Sequence, residues 1–356
     1  MSRESVEIGP VRARRGTRAF GFIPVATGAD GGNLGIAIHL LAGARPGPRV
    51  VAMATSHGNE YRQIAGLQRL ASEVDCETLA GDLVMVPVQN PVAFEMGVRS
   101  TWMDSLWGDN GNMNRLWPGR ADGWITERFT HALASLVFPG STVVMDLHGP
   151  TSEIHASYGY LGQGEPGDLD YEVSRVFGQE ILAWNSPAEL DEKKQTSSTA
   201  MAAARLAGYA AYGGEIGESY GLSSGRRSGV QSHSSRSAEE IGFIGVTNVM
   251  KYLGMLPGDP ALPTRQVKVT PEFNLRPSHG GLLTSNLRTQ DIGVVVPKGT
   301  VLGSVVSPYS FETLEEILAP FPETLVLGAH HQPVTKVLPG EFGYIVADNA
   351  RTEELP

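Results

Sequence analysis

Short apolar runs alternate with amphipathic helical patterns through the first two thirds of the chain. Residues 50–55 form an apolar run that is typical of a buried strand. The next segment, from about Tyr61, places Ile64, Leu67, Ala71 and Val74 on the stripe of a core-facing helix. Further strands are predicted at 82–88, 141–147, 181–184 and before Gly213, and further helices at 124–137, 169–177, 199–206 and 235–253. This alternation predicts an α/β fold with a mainly parallel or mixed central sheet and helices on both faces.

The pattern changes after a Pro-rich stretch at residues 257–263, which is interpreted as a linker. Beyond it, helical patterns mostly vanish, and short apolar segments alternate with turns at 281–283, 292–296, 301–306, 324–327 and 343–346. We therefore expect two domains, at residues 1–260 and 261–356, the second a small β-domain. Its turn spacing at 280–303 is similar to that of a biotinyl-like barrel-sandwich. The Met-Lys-Met attachment signature is missing, so we interpret it as a structural or site-covering module.

Composition narrows the classes of function. The 356 residues are 41% hydrophobic and 19% charged, as in ordinary globular proteins. The net charge of −10 argues against nucleic acid or an anionic membrane as the main partner. The single cysteine, Cys76, cannot form an intrachain disulfide, and its acidic neighbours disfavour a reactive thiolate. The N-terminal residues lack the apolar core of a signal peptide, so we expect a cytoplasmic protein.

Potential metal ligands follow two of the predicted strands. His57 and Glu60, in His-Gly-Asn-Glu, lie between the strand at 50–55 and its helix, and His148 follows the strand at 141–147. Sites in open α/β sheets tend to lie at the carboxyl ends of strands, and catalytic zinc usually takes three protein ligands. We therefore expect His57, Glu60 and His148 to bind one divalent metal ion. Asp146 either orients one of the rings or points away from them.

A long segment with little periodicity, residues 89–120, carries polar side chains suited to a substrate. The planar guanidinium of Arg115 suits a carboxylate, and the neighbouring Asn114 offers an amide donor. Arg99 is expected either to polarise a scissile carbonyl or to bind a second anionic group. Glu215, flanked by glycines at the end of another apolar run, is the candidate proton acceptor and donor. Glu218 is its rival, and spacing does not decide between them.

Together these motifs resemble, in order and spacing, the succinylglutamate desuccinylase/aspartoacylase family, which is related to zinc carboxypeptidases. The resemblance covers roughly residues 45–255 and implies a carboxypeptidase-like mixed sheet followed by a C-terminal β-domain. It implies one zinc ion per subunit, bound by His57, Glu60 and His148, with Glu215 as general base and then acid. Asn114 and Arg115 would bind the substrate carboxylate, and Arg99 would polarise the amide oxygen.

The chain departs from the family pattern in the long loop and in the C-terminal part. Family members often have Asp-Leu-Asn-Arg in the loop, whereas here Asn112 and Met113 precede Asn114 and Arg115. The missing charge at Asn112 makes the substrate pocket less predictable. The C-terminal tyrosine that reaches the site in the family has two candidates without a motif, Tyr309 and Tyr344.

Three functions compete at this point. The leading hypothesis is a zinc amidohydrolase that removes the acyl group from a small N-acyl amino acid or a similar amide. The second is a zinc carboxypeptidase that acts on short peptides, which would share the metal ligands and the Asn-Arg pair. The third is a metal- or small-ligand-binding protein that has lost catalysis. The sequence names neither the acyl group nor the amine, leaves a homo-oligomer open, and does not distinguish zinc from manganese or cobalt.

Overall fold

A computed structural model describes residues 4–101, 111–150, 153–184, 198–217, 237–288, 291–330 and 334–356. The helices are α1 (Ile64–Glu73), α2 (Pro91–Met96), α3 (Ile125–Ala132), α4 (Leu169–Val176), α5 (Ala200–Leu206) and α6 (Ala238–Tyr252). Short 3₁₀ turns lie at Met113–Arg115 and Asn349–Arg351, and a π-helical turn, Leu133–Val137, continues α3. No helix among these described residues is long and apolar enough to span a membrane.

The strands fall into one large sheet and three smaller ones. In chain order they are β1 (Ser5–Ile8), β2 (Val11–Arg14), β3 (Thr17–Thr27), β4 (Asn33–Ala42), β5 (Arg45–Ala54), β6 (Ala80–Val86), β7 (Val143–His148), β8 (Glu153–His155), β9 (Tyr158–Tyr160), β10 (Ile181–Ala183), β11 (Ala210–Glu215), β12 (Val267–Val269), β13 (Pro271–Leu275), β14 (Gly281–Ser285), β15 (Val295–Pro297), β16 (Val301–Val306), β17 (Thr313–Leu318), β18 (Glu323–His330), β19 (Val334–Val337), β20 (Tyr344–Asp348) and β21 (Glu353–Glu354).

The large sheet has ten strands in the order β21-β12-β10-β9-β11-β7-β5-β6-β4-β3. Its centre is parallel, since β11, β7, β5 and β6 run in the same direction, and antiparallel strands flank this centre on both sides. The predicted mixed sheet is therefore confirmed. The carboxyl ends of β5, β7 and β11 meet at the same edge, which places the segments that follow them next to one another.

Side chains of the central strands alternate between two cores, as the pleat requires. Along β5, Val51 and Met53 face a core formed with α3, α5 and the β1–β2 hairpin. Val50, Ala52 and Ala54 face a second core, formed with α1, α4 and α6. Both faces are thus covered by helices, which explains the unbroken apolar runs of these strands. Cys76 is buried in the second core, and burial raises the pKa of its thiol.

The helix predicted at 124–137 exists, but two members of its predicted apolar stripe (Trp124, Ile125, Phe129, Leu133 and Leu136) are exposed, namely Trp124 and Leu136. Leu136 is 41% exposed, whereas Val137 and Phe138 are buried. The reason is the π-helical turn, in which the amide of Phe138 bonds to the carbonyl of Leu133, five residues back, at 3.1 Å. The wider turn rotates Leu136 outward and Phe138 inward. Phe138 stacks on Trp117, with ring centroids 5.3 Å apart, and so anchors the long loop of the site.

The C-terminal part is strand-rich, as predicted. Sheets of the order β13-β20-β18-β15, with β8 also paired to β18, and β17-β16-β14-β19 pack around an apolar core to which β9, β10 and β12 of the large sheet also contribute. The sequence pattern missed β8, β9, β12, β13, β17, β19 and β21, of which β8 and β9 lie between β7 and α4. β12 and β21 belong to the edge of the large sheet although both follow residue 260. The division into domains at 260/261 stays a prediction.

Candidate metal centre and active site

The site lies where the sheet register brings the ends of β5, β7 and β11 together. His148 and Glu215 are Cα partners in the parallel pair β7–β11, so both side chains leave the sheet at the same level. Ala54, the last residue of β5, is the partner of Leu147 on the other side of β7. Three residues beyond Ala54, His57 begins the His-Gly-Asn-Glu turn.

The turn between β5 and α1 depends on its exact residues. Thr55 adopts a positive φ of 59°, which is uncommon for a β-branched residue and turns the chain sharply away from the sheet. Gly58 lies directly against α2, because a Cβ there would stand 2.0 Å from the carbonyl carbon of Ala93. Asn90 caps α2, its side-chain oxygen accepting from the amide of Ala93 at 3.1 Å. The Asn90-Pro91 pair therefore fixes the helix that supports the metal-binding turn.

His57, Glu60 and His148 converge as predicted. Nδ1 of His57 lies 2.7 Å from Oε1 of Glu60, and Nδ1 of His148 lies 2.9 Å from Oε2. The three potential ligand atoms all lie within 4.8 Å of one another, and the three residues are buried. Arg99 also donates to Oε1 of Glu60, at 2.8 Å, while its own side chain stays half exposed.

The outer nitrogen of His148 contacts Asp146. Nε2 of His148 lies 2.8 Å from Oδ2 of Asp146, whose Oδ1 accepts from Nε2 of Gln89 at 2.7 Å. Residues two apart on a strand share a face, so Asp146 and His148 both point toward the metal-binding cluster. Of the two orientations that the sequence left open for Asp146, the structure has the one that orients the ring.

The outer nitrogen of His57 contacts Asn112. Oδ1 of Asn112 accepts from the backbone amide of Asn114 at 3.0 Å and lies 3.1 Å from Nε2 of His57. Because that amide identifies the Asn112 atom as the acceptor oxygen, Nε2 of His57 carries the proton. Asn112, which stands where family members often have Asp, therefore still accepts a hydrogen bond from His57, one of the candidate metal ligands.

These outer contacts test whether the cluster fits a metal ion. A neutral imidazole that donates from Nε2 has a lone pair on Nδ1, and in both rings Nδ1 faces Glu60. Without a cation, each ring would need a second proton to satisfy the carboxylate. Two imidazole nitrogens and one carboxylate, with the other ring nitrogens bonded to oxygen acceptors, is the donor set of a catalytic zinc site. The residues fit the ion.

Without a cation, the protonation equilibria of the cluster favour a proton at the position that the ion would take. Burial by itself raises the pKa of Glu60, but His57 and His148 hold that pKa well below its usual value. Burial lowers the pKa of His57. Burial also opposes the charge on His148, yet Asp146 and Glu60 raise the pKa of His148 well above its usual value. An ionised carboxylate is thus buried among imidazoles, and a divalent cation there would compete with the proton on His148.

Glu215 ends β11 beside His148, and the glycines before it are required by packing. A Cβ on Gly213 would stand 2.2 Å from the sulfur of Met201, and one on Gly214 would stand 2.2 Å from the hydroxyl of Tyr212. Gln179, which is buried, donates from Nε2 to the carbonyl of Glu215 at 3.3 Å. Tyr212 donates its hydroxyl to the same glutamine. Glu218, the rival of Glu215, lies outside the described residues.

A cavity of ≈ 360 Å³ opens onto the cluster, a size suited to a small molecule. Six of the seven predicted site residues line it: His57, Arg99, Asn114, Arg115, His148 and Glu215. The seventh, Glu60, lies beneath them, in contact with Arg99 and both histidines. Burial and the nearby charge of Arg99 lower the pKa of Arg115. An anionic group bound between the two guanidiniums would relieve that repulsion.

The sequence pattern missed much of the cavity wall. Tyr160, Arg205, Arg276, Phe342 and Ile345 also line it, and the last three come from beyond residue 260. Arg205 is bonded to Asp170, with Nε 3.0 Å from both carboxylate oxygens.

Neither of the candidate C-terminal tyrosines lines the cavity. Tyr309 is 92% exposed, and Tyr344 is buried with its hydroxyl donating to the carbonyl of Leu302 at 2.9 Å. Phe342, two residues before Tyr344, is the aromatic residue that reaches the site. Phe342 lies just before β20, so the period of that strand does not relate the direction of its side chain to that of Tyr344.

Comparison with known proteins identifies the family of this chain. Residues 46–240 match the family model of the succinylglutamate desuccinylase/aspartoacylase catalytic domain, which is more than half of the chain. The chain belongs to the succinylglutamate desuccinylase/aspartoacylase family. Within this family, the chain is similar to the N-alpha-acetyl-L-2,4-diaminobutyric acid deacetylase of Halomonas elongata, at 35% identity over 136 residues. That match covers 37% of this chain and only 38% of the relative.

Solved structures share the fold over nearly the whole chain. A succinylglutamate desuccinylase from Silicibacter sp. TM1040 has a TM-score of 0.75 at 21% identity and covers 96% of this chain and 99% of its own. The ectoine utilization protein EutE (DoeB) of Ruegeria pomeroyi, with product bound, also has a TM-score of 0.75, at 22% identity, covering 96% and 100%. The predicted α/β fold with a C-terminal β-rich part is confirmed as the fold of this family.

Proposed function

We propose that this protein is a zinc-dependent amidohydrolase that removes the acyl group from a small N-acyl amino acid or a related carboxylate-bearing amide. The observation that carries the proposal is the pairing of Glu215 with His148 across β7 and β11. It places a candidate proton carrier beside three buried metal-ligand side chains, in one cavity. Family membership and the deacetylase relative support the reaction class.

His57, Glu60 and His148 hold the zinc ion in this proposal. When bound there, zinc supplies Lewis acidity, which makes water a nucleophile near neutral pH and polarises an amide carbonyl. Asn112 and Asp146 keep Nδ1 of each histidine available by accepting from the opposite ring nitrogen. The cluster leaves room for substrate because the cavity opens directly onto both histidines.

Glu215 carries the proton. It accepts a proton from the attacking water and delivers it to the leaving amine, the work of a general base and then a general acid. Arg99, 2.8 Å from Glu60, lies close enough to the metal ligands to stabilise charge that develops on the amide oxygen. A protein that only binds a metal or a ligand has no need of Glu215, so the lost-enzyme hypothesis is the weakest of the three.

Arg115 and Asn114 bind the substrate carboxylate. Both line the cavity, and the 3₁₀ turn Met113–Arg115 fixes their order along the wall. A guanidinium can bind the two carboxylate oxygens at once, which orients the amide as well as anchoring it. This recognition restricts the substrate to amides that carry a free carboxylate.

An activity screen with zinc-loaded protein tests the proposal. N-Acetyl, N-succinyl and N-aroyl amino acids are compared with dipeptides, and with the matching N-acyl amines that lack the carboxylate as controls. We expect release of a free amino acid from at least one N-acyl substrate, and no release of the corresponding amine from its decarboxylated analogue. Faster cleavage of dipeptides would favour the carboxypeptidase, and binding without turnover would favour a protein that has lost catalysis. The cytoplasmic location and the oligomeric state stay predictions.

A further inference from the structure

Ile216, the residue that follows Glu215, is hydrogen-bonded through both of its backbone groups to segments that carry the candidate metal ligands. The backbone amide of Ile216 donates to the carbonyl of His148 at 2.8 Å. The carbonyl of Ile216 accepts from Nε2 of Gln63 at 3.1 Å. Gln63 lies three residues after Glu60, at the start of α1. The backbone of Ile216 therefore ties the strand of the candidate base to both segments that carry candidate metal ligands.

Gln63 is placed so that this hydrogen bond decides the position of its amide. The side chain is fully buried, at 0% exposure, and its Oε1 has no partner among the residues that the structure describes. Nε2 is thus the end of the side chain that is bonded, and the acceptor is the carbonyl of Ile216. A buried amide with one strong contact is aligned by that contact.

Gly149, directly after His148, leaves the space that the hydrogen bond needs. A Cβ on Gly149 would stand 1.7 Å from Nε2 of Gln63 and 2.8 Å from the carbonyl oxygen of Ile216. A methyl group there would overlap the donor nitrogen and displace it from the carbonyl of Ile216. The glycine that follows the histidine is therefore explained by the glutamine on another element.

We infer that Gln63 is a positioning residue, which fixes the carboxylate of Glu215 relative to the metal ligands by bonding to the carbonyl of Ile216. This inference rests on the proposed function, since it assigns Gln63 a role in that reaction. Misplacing a reacting group by about 1 Å can cost on the order of 10²-fold in rate. A fully buried link one residue from Glu215 is suited to prevent such a displacement.

The first variant is Gln63→Met, which keeps the length and volume of the side chain and removes the donor. We expect kcat to fall by about 10- to 100-fold. Zinc content should be unchanged and KM should change by less than about threefold, because neither ligand binding nor substrate contact uses this donor. Loss of zinc in the variant would overturn the inference, since Gln63 would then support the ligands rather than the base.

The second variant, Gly149→Ala, displaces the side-chain amide of Gln63, because the added methyl group would overlap Nε2 of Gln63. If it acts through Gln63, its kcat should resemble that of Gln63→Met, and the double variant should be little worse than either single variant. Additive losses would show that the two residues act independently and would overturn the inference.

Asn248→Leu is the matched control. Asn248 is also a buried amide, 1% exposed, and its Nδ2 donates to the carbonyls of Phe177 and Ala261 at 3.4 and 3.0 Å, away from the cavity. We expect a lower Tm and an unchanged kcat per zinc-loaded molecule. If the control lost kcat as Gln63→Met does, general loosening of the fold would explain both variants and the inference would fail.

Hydrogen–deuterium exchange supplies a readout that does not depend on any substrate. Exchange of the peptide that spans residues 210–217 should rise in Gln63→Met and stay at the wild-type level in Asn248→Leu. If the exchange difference is present but the wild-type protein hydrolyses no amide, the proposed function is refuted, while the hydrogen bond from Gln63 to Ile216 is still shown to hold the end of β11 in place. Wild-type exchange and wild-type kcat in Gln63→Met would refute the link while leaving the proposed function standing.

Discussion

The two sides of the cavity differ in burial and in origin. The side that we propose to bind the metal, called the metal side, consists of His57, Glu60 and His148, all at most 4% exposed and all on or next to central strands. The opposite wall includes Arg115 and Arg276, both exposed, and comes from the long loop and from beyond residue 260. Each metal-side residue is hydrogen-bonded to another buried side chain or to Asn112, whereas Arg115 and Arg276 donate to backbone carbonyls of exposed segments and keep their charge at the surface.

This difference separates two tasks. A metal site needs ligand atoms fixed within a few tenths of an ångström, and buried strand ends with outer hydrogen bonds provide that rigidity. A substrate wall needs only to match one molecule, and it can be exchanged without changing the sheet. We therefore expect substitutions on the metal side to abolish turnover, and those on the opposite wall to change substrate preference.

The largest effect is expected from His148→Ala. Loss of one of three ligands leaves a poor site, so most bound zinc and nearly all activity should disappear. Elemental analysis after removal of free metal measures the zinc, and His131→Ala, outside the cavity, serves as the control. Zinc that stayed stoichiometric in the His148 variant would remove this residue from the ligand set.

The second-largest effect is expected from Glu215→Gln. The amide keeps the shape but cannot accept a proton, so turnover should fall by about 10²–10⁴ while zinc stays bound and substrate affinity changes little. Glu218→Gln is the paired variant and decides between the two carboxylates that the sequence left open. A near-normal rate in Glu215→Gln with a collapse in Glu218→Gln would reverse the assignment.

The sequence predicted that the metal-side residues lie close together because each of them follows a strand that a short, local apolar run reveals. Apolar runs at 50–55 and 141–147 locate two strand ends, and the parallel arrangement brings those ends together. The same logic placed Glu215. Asp146 was left with two orientations, although its period-two relation to His148 already favours a shared face.

The sequence could not predict the opposite wall, because that wall depends on long-range packing. β8 pairs with β18 across more than 160 residues of chain, and this pairing carries the C-terminal sheets to the cavity. No local periodicity announces such a contact. The π-helical turn after α3 was also unpredictable from local periodicity. It accompanies a long-range contact, the stacking of Phe138 on Trp117, which the apolar stripe of the helix does not indicate.

Asp146→Asn tests the outer contacts of the metal side. The substitution keeps the volume and removes the charge opposite Nε2 of His148, which should weaken zinc binding or activity by about 10- to 100-fold. Competition with a chelating dye measures the affinity. Asp82→Asn is the matched control: Asp82 is 4% exposed and pairs with Arg15 and Arg49 away from the cavity, so it should affect stability alone. Equal zinc affinity in the two variants would contradict a role for Asp146.

Arg115→Lys tests the opposite wall of the cavity. A point charge cannot make two parallel hydrogen bonds to a carboxylate, so kcat/KM should fall by about 10- to 100-fold, or roughly 1.4–3 kcal/mol. Arg120→Lys, an exposed arginine paired with Asp122, should have no effect on the rate. An unchanged rate on a carboxylate substrate in Arg115→Lys would place that residue outside the recognition site.

The smallest effect is expected from Phe342→Ala, which tests whether the C-terminal part touches substrate. Phe342 lines the cavity only partly buried, and its carbonyl accepts from Nε2 of His330 at 2.8 Å. Since that bond uses the backbone, truncating the ring should leave the chain in place and remove only apolar contact.

KM should therefore rise by roughly three- to tenfold with kcat nearly unchanged, the pattern of lost uniform binding. The increase should be larger for N-aroyl or long N-acyl substrates than for N-acetyl substrates if the ring faces the acyl group. It should be independent of acyl length if the ring faces the amine. Phe321→Ala, a partly buried phenylalanine of the same C-terminal core that does not line the cavity, should lower Tm and leave KM unchanged. An unchanged KM for every substrate in Phe342→Ala would remove this ring from substrate recognition and leave Arg276 and Ile345 as the cavity-lining residues from beyond residue 260 that could still contact substrate.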